Sequence, residues 1–326
     1  TSVDFEPRIE ILTKSKILLQ NGGGYKFNYS YIYYLFIGKY LADNLHKDSI
    51  KEKITEYCLE LHKRENANSI MFLTHHRNDP WVVEQITDNL KTCFSDKTPL
   101  ELNGDVKAIN EFVETASQLL IEEIDVDRNQ EQQRELADTI SENESDEQAE
   151  QTTSETVNDV LSLTSKLHKL TKTSEILGLI TRNYYGSIER SRKNEYLKQI
   201  FDGTLRSLKA IFSGIEEQPE AFISELERAI EEARPGLTAE QRVEHAKKFA
   251  FQITGLICTG FIAKSAQFVS SDKIREDIFT LVNENPTNSY RLIGAATYLT
   301  QPGNLPFAEI DNLAKALKDN PFAFTI

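Results

Sequence analysis

Apolar residues recur every three or four positions through most of this chain, the spacing that places them on one face of an α-helix. Between residues 50 and 121 the pattern predicts several helices joined by short polar loops. It returns from Val157 to Ile180 as a long amphipathic stretch, and Tyr184–Ser187 and Arg234–Gly236 separate later helices. The pattern therefore predicts a mainly α fold, a helical array without a repeat of fixed period.

Local signals predict where several of these helices begin. Asp79-Pro80 combines an N-cap residue with proline at the first helical position. Ser49–Glu52 and Thr238–Gln241 have the spacing of capping boxes, in which the first and fourth residues satisfy each other's backbone N–H groups. Asp105 is the predicted cap of a further helix.

The stretch from Lys26 to Asn44 is rich in aromatic residues, with five tyrosines and two phenylalanines. From Tyr31 to Ile37 it has no polar side, and a helix that is apolar all round is normally buried. The pattern predicts a core helix with Ser30 as its N-cap, covered by neighbours on most sides.

Residues 1–28 have the composition of a small α+β element. Asn21 and the three glycines after it predict a hairpin turn that leads into a strand. Glycines can also cradle phosphate, but no Gly-Lys-Ser/Thr follows and the next element is not a helix. The sequence favours the turn.

Residues 122–156 lose their apolar positions and fill with Glu, Asp, Gln, Ser and Thr, the composition of a solvated linker. Fourteen acidic and two basic residues between Glu122 and Asp159 account for −12 of the formal net charge of −14. A tract that docks a basic partner is the open alternative. The predicted domains are a remnant (1–28), a first helical module (29–121), an acidic linker (122–156) and a second helical module (157–326).

Charge and cysteine usage narrow the possible partners and the compartment. No basic stripe is present, so we expect no nucleic-acid partner. The aromatic residues near Tyr29 could stack on bases, but few basic residues lie between them, so burial of these rings in the core is favoured.

The three cysteines are widely spaced and form no Cys-x-x-Cys pair, which favours a protein of the reducing cytosol. The longest apolar run, Phe249–Ala263, is too short for a membrane span and predicts a core helix.

Candidate chemistry is sparse in the sequence. His75, His76 and Asp79 are the nearest approach to a metal cluster, but adjacent helical residues do not face each other and no ligand spacing accompanies them. We expect a loop or capping role for them, and no metal, cofactor or catalytic residue in this chain. An enzyme built around Tyr184, Tyr185 and Arg182 has no motif behind it and ranks last.

Six residues carry a resemblance to a known family. They are Phe27, Tyr29, Ile32, Leu35, Tyr40 and Leu41. They resemble the motif that joins the winged-helix part to the superhelical part of NACHT-type and related STAND ATPases. Tyr29 stands where that motif usually has His, Tyr34 where it has Glu, and Ile37-Gly38 where it has Ala-Ala. The tyrosine-rich form is similar to a bacterial subgroup with an N-terminal effector, often phosphoesterase-like, and residues 176–187 resemble the C-terminal helical region of the same subgroup.

The resemblance implies a winged-helix remnant at the N-terminus and a superhelical regulatory region after it. The chain would then be a non-catalytic fragment that holds an upstream P-loop ATPase domain inactive until a protein trigger binds, as part of bacterial antiviral defence. ATP or ADP would bind the upstream domain, and release would permit homo-oligomer assembly. Tyr29 would lie where the family's His senses the nucleotide phosphate, although burial against the winged helix is the favoured role. The rival interpretation is a free-standing scaffold that binds a protein or peptide.

Overall fold

The computed structural model describes residues 5–112, 155–301 and 306–326. Within these ranges the chain is mainly helical, with one two-stranded sheet, so the predicted mainly α helical array is confirmed. The helices are α1 (Phe5–Lys14), α2 (Ser30–Asp43), α3 (Asp48–Leu59), α4 (Arg64–His76), α5 (Pro80–Thr92), α6 (Lys107–Asn110), α7 (Glu155–Asn183), α8 (Arg190–Glu217), α9 (Pro219–Ala233), α10 (Ala239–Phe268), α11 (Arg275–Glu284), α12 (Asn288–Leu299), α13 (Phe307–Leu317) and α14 (Pro321–Thr325).

The sheet is the predicted hairpin. Strands β1 (Leu18–Asn21) and β2 (Gly24–Phe27) are antiparallel, with Leu18 opposite Phe27. Gly22 and Gly23 form the two-residue turn at φ values of +56° and +86°, which residues other than glycine rarely adopt. The glycines therefore make a turn between strands, as predicted. The assignment of residues 1–28 to a winged helix stays a prediction.

The chain divides into two compact units, each made of several segments. Unit 1 comprises Thr1–Leu100, Ser165–Ile211 and Phe261–Leu305. In it, α2 packs against α4, and α3 packs against α4 and α5. Its core is aliphatic and aromatic, with the buried residues Leu41, Ile54, Cys58, Ile70, Leu73, Val82, Ile86, Leu90, Leu177, Leu197, Ile200, Phe201, Leu205, Ile278, Leu281 and Ile293.

A buried polar pair supplements the core of unit 1. The Tyr290 hydroxyl on α12 donates a 2.6 Å hydrogen bond to Asp202 Oδ1 on α8. Lys198 Nζ lies 2.8 Å from the other carboxylate oxygen, Oδ2. Both oxygens of a largely buried carboxylate are thus occupied, as burial of a charge requires.

Unit 2 comprises Glu101–Thr164, Phe212–Gly260 and Pro306–Ile326. Phe322 on α14 is fully buried at its centre, in edge-to-face contact with Phe212 and Phe251. Asn110 Oδ1 accepts a 2.8 Å hydrogen bond from the Phe322 backbone N–H and ties α6 to α14. The first phenylalanine of the apolar stretch from Pro321 onward is thus buried inside its own unit.

Several predicted helix starts are confirmed. Asp79 is the N-cap of α5 and accepts from the Trp81 backbone N–H, with Pro80 at the first helical position. The capping box at Thr238–Gln241 is formed, because each residue's side-chain oxygen accepts from the other's backbone N–H at 3.2 and 3.0 Å. These signals act within four residues, so they do not depend on distant packing.

Two other predicted caps are wrong. Helix α3 begins at Asp48 after Lys47, whose side chain makes no cap, so Ser49 does not open a capping box. The extended backbone of Lys47 allows Asp48 to place its negative charge in the first helical turn. Asp105 instead orders the loop before α6, since its carboxylate accepts from the backbone N–H groups of Glu101 and Asn103.

Helix α10 contains the apolar run Phe249–Ala263. Among the described residues it is the one helix long and apolar enough to cross a membrane by length and composition, criteria that the core helix of a globular protein also meets. Phe251 and Cys258 are fully buried, whereas Leu256 is 67% exposed. The predicted core helix is therefore buried on one face only.

Most of the predicted acidic linker, 122–156, lies outside the described residues, and Glu155 already belongs to α7. The long amphipathic stretch from Val157 is confirmed as α7, which ends at Asn183, just before Tyr184. The four-part division of the chain stays a prediction.

Candidate functional site

Helix α2 is held against α4 by a close approach of the two backbones. A Cβ atom on Gly38 would lie 2.6 Å from the backbone carbon of Phe72 and the backbone nitrogen of Leu73. Real Cβ atoms essentially never come that close to another atom, so the contact requires glycine. Gly38 therefore fixes which face of α2 is covered.

The covered face of α2 carries Tyr34, Gly38, Leu41 and Ala42. Burial raises the pKa of Tyr34, and the nearby Glu65 carboxylate on α4 raises that pKa further. The Tyr34 hydroxyl therefore stays neutral in the physiological range. It is a structural group in the contact between the two helices.

The opposite face of α2 is exposed and aromatic. Tyr33, Phe36 and Tyr40 are spaced i, i+3 and i+7, which puts them in one row, and each is about half exposed or more. We call this row the aromatic stripe. The prediction that neighbours cover Tyr31–Ile37 on most sides is wrong for the described residues, because the contact with α4 covers only one face.

The hairpin extends the aromatic stripe at its N-terminal end. The Phe27 ring stacks on Phe36 with ring centroids 5.7 Å apart and contacts Tyr33 at 6.2 Å. Tyr25 is two residues before Phe27 on β2, so both side chains point to the same face of the strand, and Tyr25 is 51% exposed.

Tyr29, the one predicted site residue, lies at the N-cap of α2 with φ −120° and ψ 126°. Its ring stacks on Tyr31 with centroids 5.6 Å apart and planes inclined by 27°. We call Tyr29 and Tyr31 the tyrosine pair. Tyr31 and Tyr33 are two helical positions apart and so point about 200° apart. The tyrosine pair and the aromatic stripe are therefore distinct surfaces.

Two expectations about Tyr29 need correction. Tyr29 is 51% exposed, so burial against the neighbouring hairpin is not its role in this structure. Ser30 was the predicted N-cap, but it is the first helical residue, and the extended backbone of Tyr29 occupies the cap position without a side-chain hydrogen bond. The Tyr29 carbonyl instead accepts from the Ile32 backbone N–H at 3.1 Å.

The candidate metal residues serve structural contacts. His75 and His76 lie in the last turn of α4 rather than in a loop. The His76 Nε2 atom donates to the Leu35 carbonyl at 3.2 Å, which adds a second link between α2 and α4. Asp79 caps α5, as described above. The described part of the chain contains no group of three or more His, Cys, Asp or Glu side chains that could hold a metal ion.

The residues of the last-ranked enzyme hypothesis also make structural contacts. The Tyr184 hydroxyl donates to the Thr74 carbonyl at 2.9 Å, near the C-terminal end of α4. Arg182 donates to the Ser270 carbonyl, and burial lowers the pKa of its guanidinium group. Lys273 Nζ lies 4.9 Å from the centre of the Tyr185 ring. The Tyr184 hydroxyl and the Arg182 guanidinium group thus each hold a backbone carbonyl within unit 1.

The three cysteines are buried and unpaired with one another. Burial raises the pKa of the Cys58 thiol to about 12 and also raises those of Cys93 and Cys258. A thiol must ionise to act as a nucleophile, so none of the three is activated.

The comparisons with known proteins bear on the N-terminal segment alone. Residues 1–37 match the family model nSTAND_NTPase4, described as Novel STAND NTPase 4. No curated protein and no solved structure matches the chain. The matched segment contains the hairpin, the tyrosine pair and the first two residues of the aromatic stripe. At a coarse level, the N-terminal part of this chain is thus similar to the STAND NTPases.

Proposed function

We propose that this chain is the regulatory and sensor region of a STAND-type NTPase, non-catalytic in itself. On this proposal it holds an upstream P-loop nucleotide domain inactive until a protein trigger binds the helical array, as part of bacterial antiviral defence. The supporting observation is that the match to the STAND NTPase model and the exposed tyrosine pair fall in the same segment.

The tyrosine pair has the properties of a contact surface for the nucleotide domain. Two stacked, half-exposed rings offer a rigid apolar area, and each hydroxyl can donate one hydrogen bond. Tyrosines are favoured at interfaces where one end of the side chain is in apolar and the other in polar surroundings. We infer that Tyr29 packs against the nucleotide domain and points its hydroxyl toward the nucleotide phosphates or a nearby backbone group.

The strength of the contact between Tyr29 and a phosphate depends on the hydrogen bond that its hydroxyl group can donate. Tyrosine has no ring nitrogen that can become cationic, so its hydrogen bond to a phosphate is weaker than the charge-assisted bond of a protonated histidine. The switch would then depend on the stacked rings as much as on the hydroxyl. Phenylalanine at position 29 should retain most of the association, whereas alanine should weaken it.

Association with the nucleotide domain tests this proposal. We would measure the dissociation constant between this chain and a separately expressed STAND NTPase domain from the same polypeptide, with and without ADP. We expect ADP to tighten the association and Tyr29→Ala to weaken it by about tenfold, the effect of removing about 1.4 kcal/mol. Tyr185→Ala, which removes a partly exposed tyrosine outside the matched segment, is the control.

A second candidate function is a free-standing helical scaffold that binds a protein or peptide. The observation in its favour is that large apolar side chains outside the matched segment are also exposed, among them Leu256, Leu299 and Phe307. Association that is indifferent to ADP and to Tyr29→Ala would favour the scaffold and contradict the switch.

A further inference from the structure

We propose that the aromatic stripe of α2 is a self-association surface through which two copies of this chain form a symmetric dimer. The proposal goes beyond the regulatory function, because it assigns a partner to a surface that is distinct from the tyrosine pair.

The stripe is free because α2 packs its other face against α4. Gly38 and Leu41 face α4, whereas Tyr33, Phe36 and Tyr40 point away from it. A Cβ atom cannot be accommodated at Gly38, so α2 cannot rotate to bury the stripe without losing the contact of the two backbones. The aromatic side of α2 is thus held outward by the packing of the opposite side.

The exposed aromatic area suits a dimer of standard size. An aromatic side chain can bury about 150 to 250 Å². Tyr25, Tyr33, Phe36 and Tyr40 are each about half exposed, so together they offer roughly 400 Å². A standard interface buries about 800 Å² per partner, of which about 60% is apolar. The stripe and its extension on the hairpin therefore supply most of the apolar area that one partner needs.

The pattern of the stripe is complementary to itself. When two identical helices cross in opposite directions about a two-fold axis, the middle of one stripe meets the middle of the other. Phe36 lies at that middle, and Tyr33 would meet Tyr40 of the second copy. Offset and edge-to-face contacts between such rings are favourable beyond the area that they bury.

The charges beside the stripe also allow a second copy to approach. The nearest cation on the helix, Lys39, forms a 3.0 Å ion pair with Asp43 within the same chain. The stripe itself carries rings and hydroxyl groups without formal charge. Two copies can therefore meet there without bringing unpaired like charges together, although the chain as a whole has a formal net charge of −14.

The molar mass in solution tests the proposal. We would measure it by light scattering and sedimentation equilibrium from about 1 to about 100 µM, the range in which micromolar association is visible. The wild-type chain should approach twice its mass of 37.2 kDa. Phe36→Glu should raise the dimer dissociation constant at least tenfold, because it places two carboxylates at the two-fold axis. Leu256→Glu, at an exposed apolar position on α10, should leave dimerisation unchanged.

The helical content of each variant would be checked by circular dichroism. If Phe36→Glu does not fold, Tyr40→Ser provides the second variant, since it removes one ring of the stripe at an exposed position. A wild-type chain that stays at 37.2 kDa up to the highest concentration would overturn the proposal. So would dimerisation that survives both stripe variants, or a monomeric chain whose stripe binds only a STAND NTPase domain. The regulatory function is tested separately at Tyr29, so either idea can fail alone.

Discussion

Neighbouring tyrosines of α2 have opposite surroundings, since successive helical residues point about 100° apart. Tyr34 faces α4 and is buried, whereas Tyr33 is exposed in the aromatic stripe. Tyr290, far along the chain, is buried too, but it donates to a carboxylate. Tyrosine is thus a packed core residue, an exposed contact residue or a buried hydrogen-bond donor, and the surrounding residues determine which of these roles it has.

Replacement of Tyr290 by phenylalanine should destabilise the protein at neutral pH. The change removes the donor to the largely buried Asp202 carboxylate and leaves Lys198 as its partner. Loss of a hydrogen bond to a charged group costs about 1.5 to 3 kcal/mol of unfolding free energy. Urea denaturation at pH 7 would measure this, with Tyr185→Phe, at a more exposed position, as a control expected to change little.

The effect of Tyr290→Phe should shrink at high pH. Burial, together with the Asp202 charge and the hydrogen bond to it, raises the pKa of Tyr290 in the folded protein. The stabilisation is therefore fully present below the unfolded-state pKa of about 10 and is lost as the pH rises above it, by about 1.4 kcal/mol per pH unit. The wild-type and variant unfolding free energies should converge as the pH rises from about 10 to about 12. A constant difference across that range would contradict the role given to the hydroxyl.

Helix α2 shows how one glycine orients a whole element. Gly38 allows the backbones of α2 and α4 to touch, and this contact buries one face of the helix and exposes the other. The exposed tyrosine pair and the aromatic stripe both follow from that orientation. A larger residue at position 38 would force the two helices apart.

The change Gly38→Ala should therefore destabilise the protein, although alanine is the better helix former. Its Cβ atom would overlap the backbone of Phe72 and Leu73, and overpacking of this kind costs about 1 to 3 kcal/mol. Gly214→Ala is the matched control, because nothing lies within 4 Å of its Cβ position on α8. There the helix propensity of alanine should stabilise the protein by about 1 kcal/mol. Thermal unfolding that changes in the same direction for both variants would contradict the close approach at Gly38.

Local signals were enough to predict several elements, but they did not predict which residues are buried. The hairpin turn at Gly22-Gly23 and the capping box at Thr238 involve residues within a few positions of one another, so the sequence holds all that determines them. The exposure of Phe36 depends on which helices cover α2. Apolar periodicity shows that a residue can be buried but does not show that a neighbour is there to bury it.

Asp105 and Ser49 show that local signals can also mislead at the start of a helix. Aspartate and serine both favour helix caps, but Asp105 accepts from a backbone N–H group in the loop before α6, and α3 begins one residue ahead of Ser49. For Gly38, the departure from the family's Ala-Ala pair was visible in the sequence. Its consequence, a backbone contact with α4, required the structure.

At the scale of the whole molecule, the chain has two compact helical units, and the first of them includes the short N-terminal segment that matches a STAND NTPase model. On the proposed function, the matched segment meets the nucleotide domain through the tyrosine pair, and the helical units provide surfaces for a trigger. The aromatic stripe would add a contact between copies. The proposed function depends on restraint of the nucleotide domain by its association with this chain.

The rate of ATP hydrolysis would measure this restraint. It would be measured for a polypeptide that joins the STAND NTPase domain to this chain, as wild type and with Tyr29→Ala, and Tyr185→Ala would serve as control. If the chain restrains the nucleotide domain through Tyr29, the Tyr29→Ala protein should hydrolyse ATP at least about fivefold faster without a trigger, the lower end of ordinary coupling between sites. An unchanged rate would contradict restraint through Tyr29, and ATP hydrolysis by the purified chain alone would contradict its non-catalytic role.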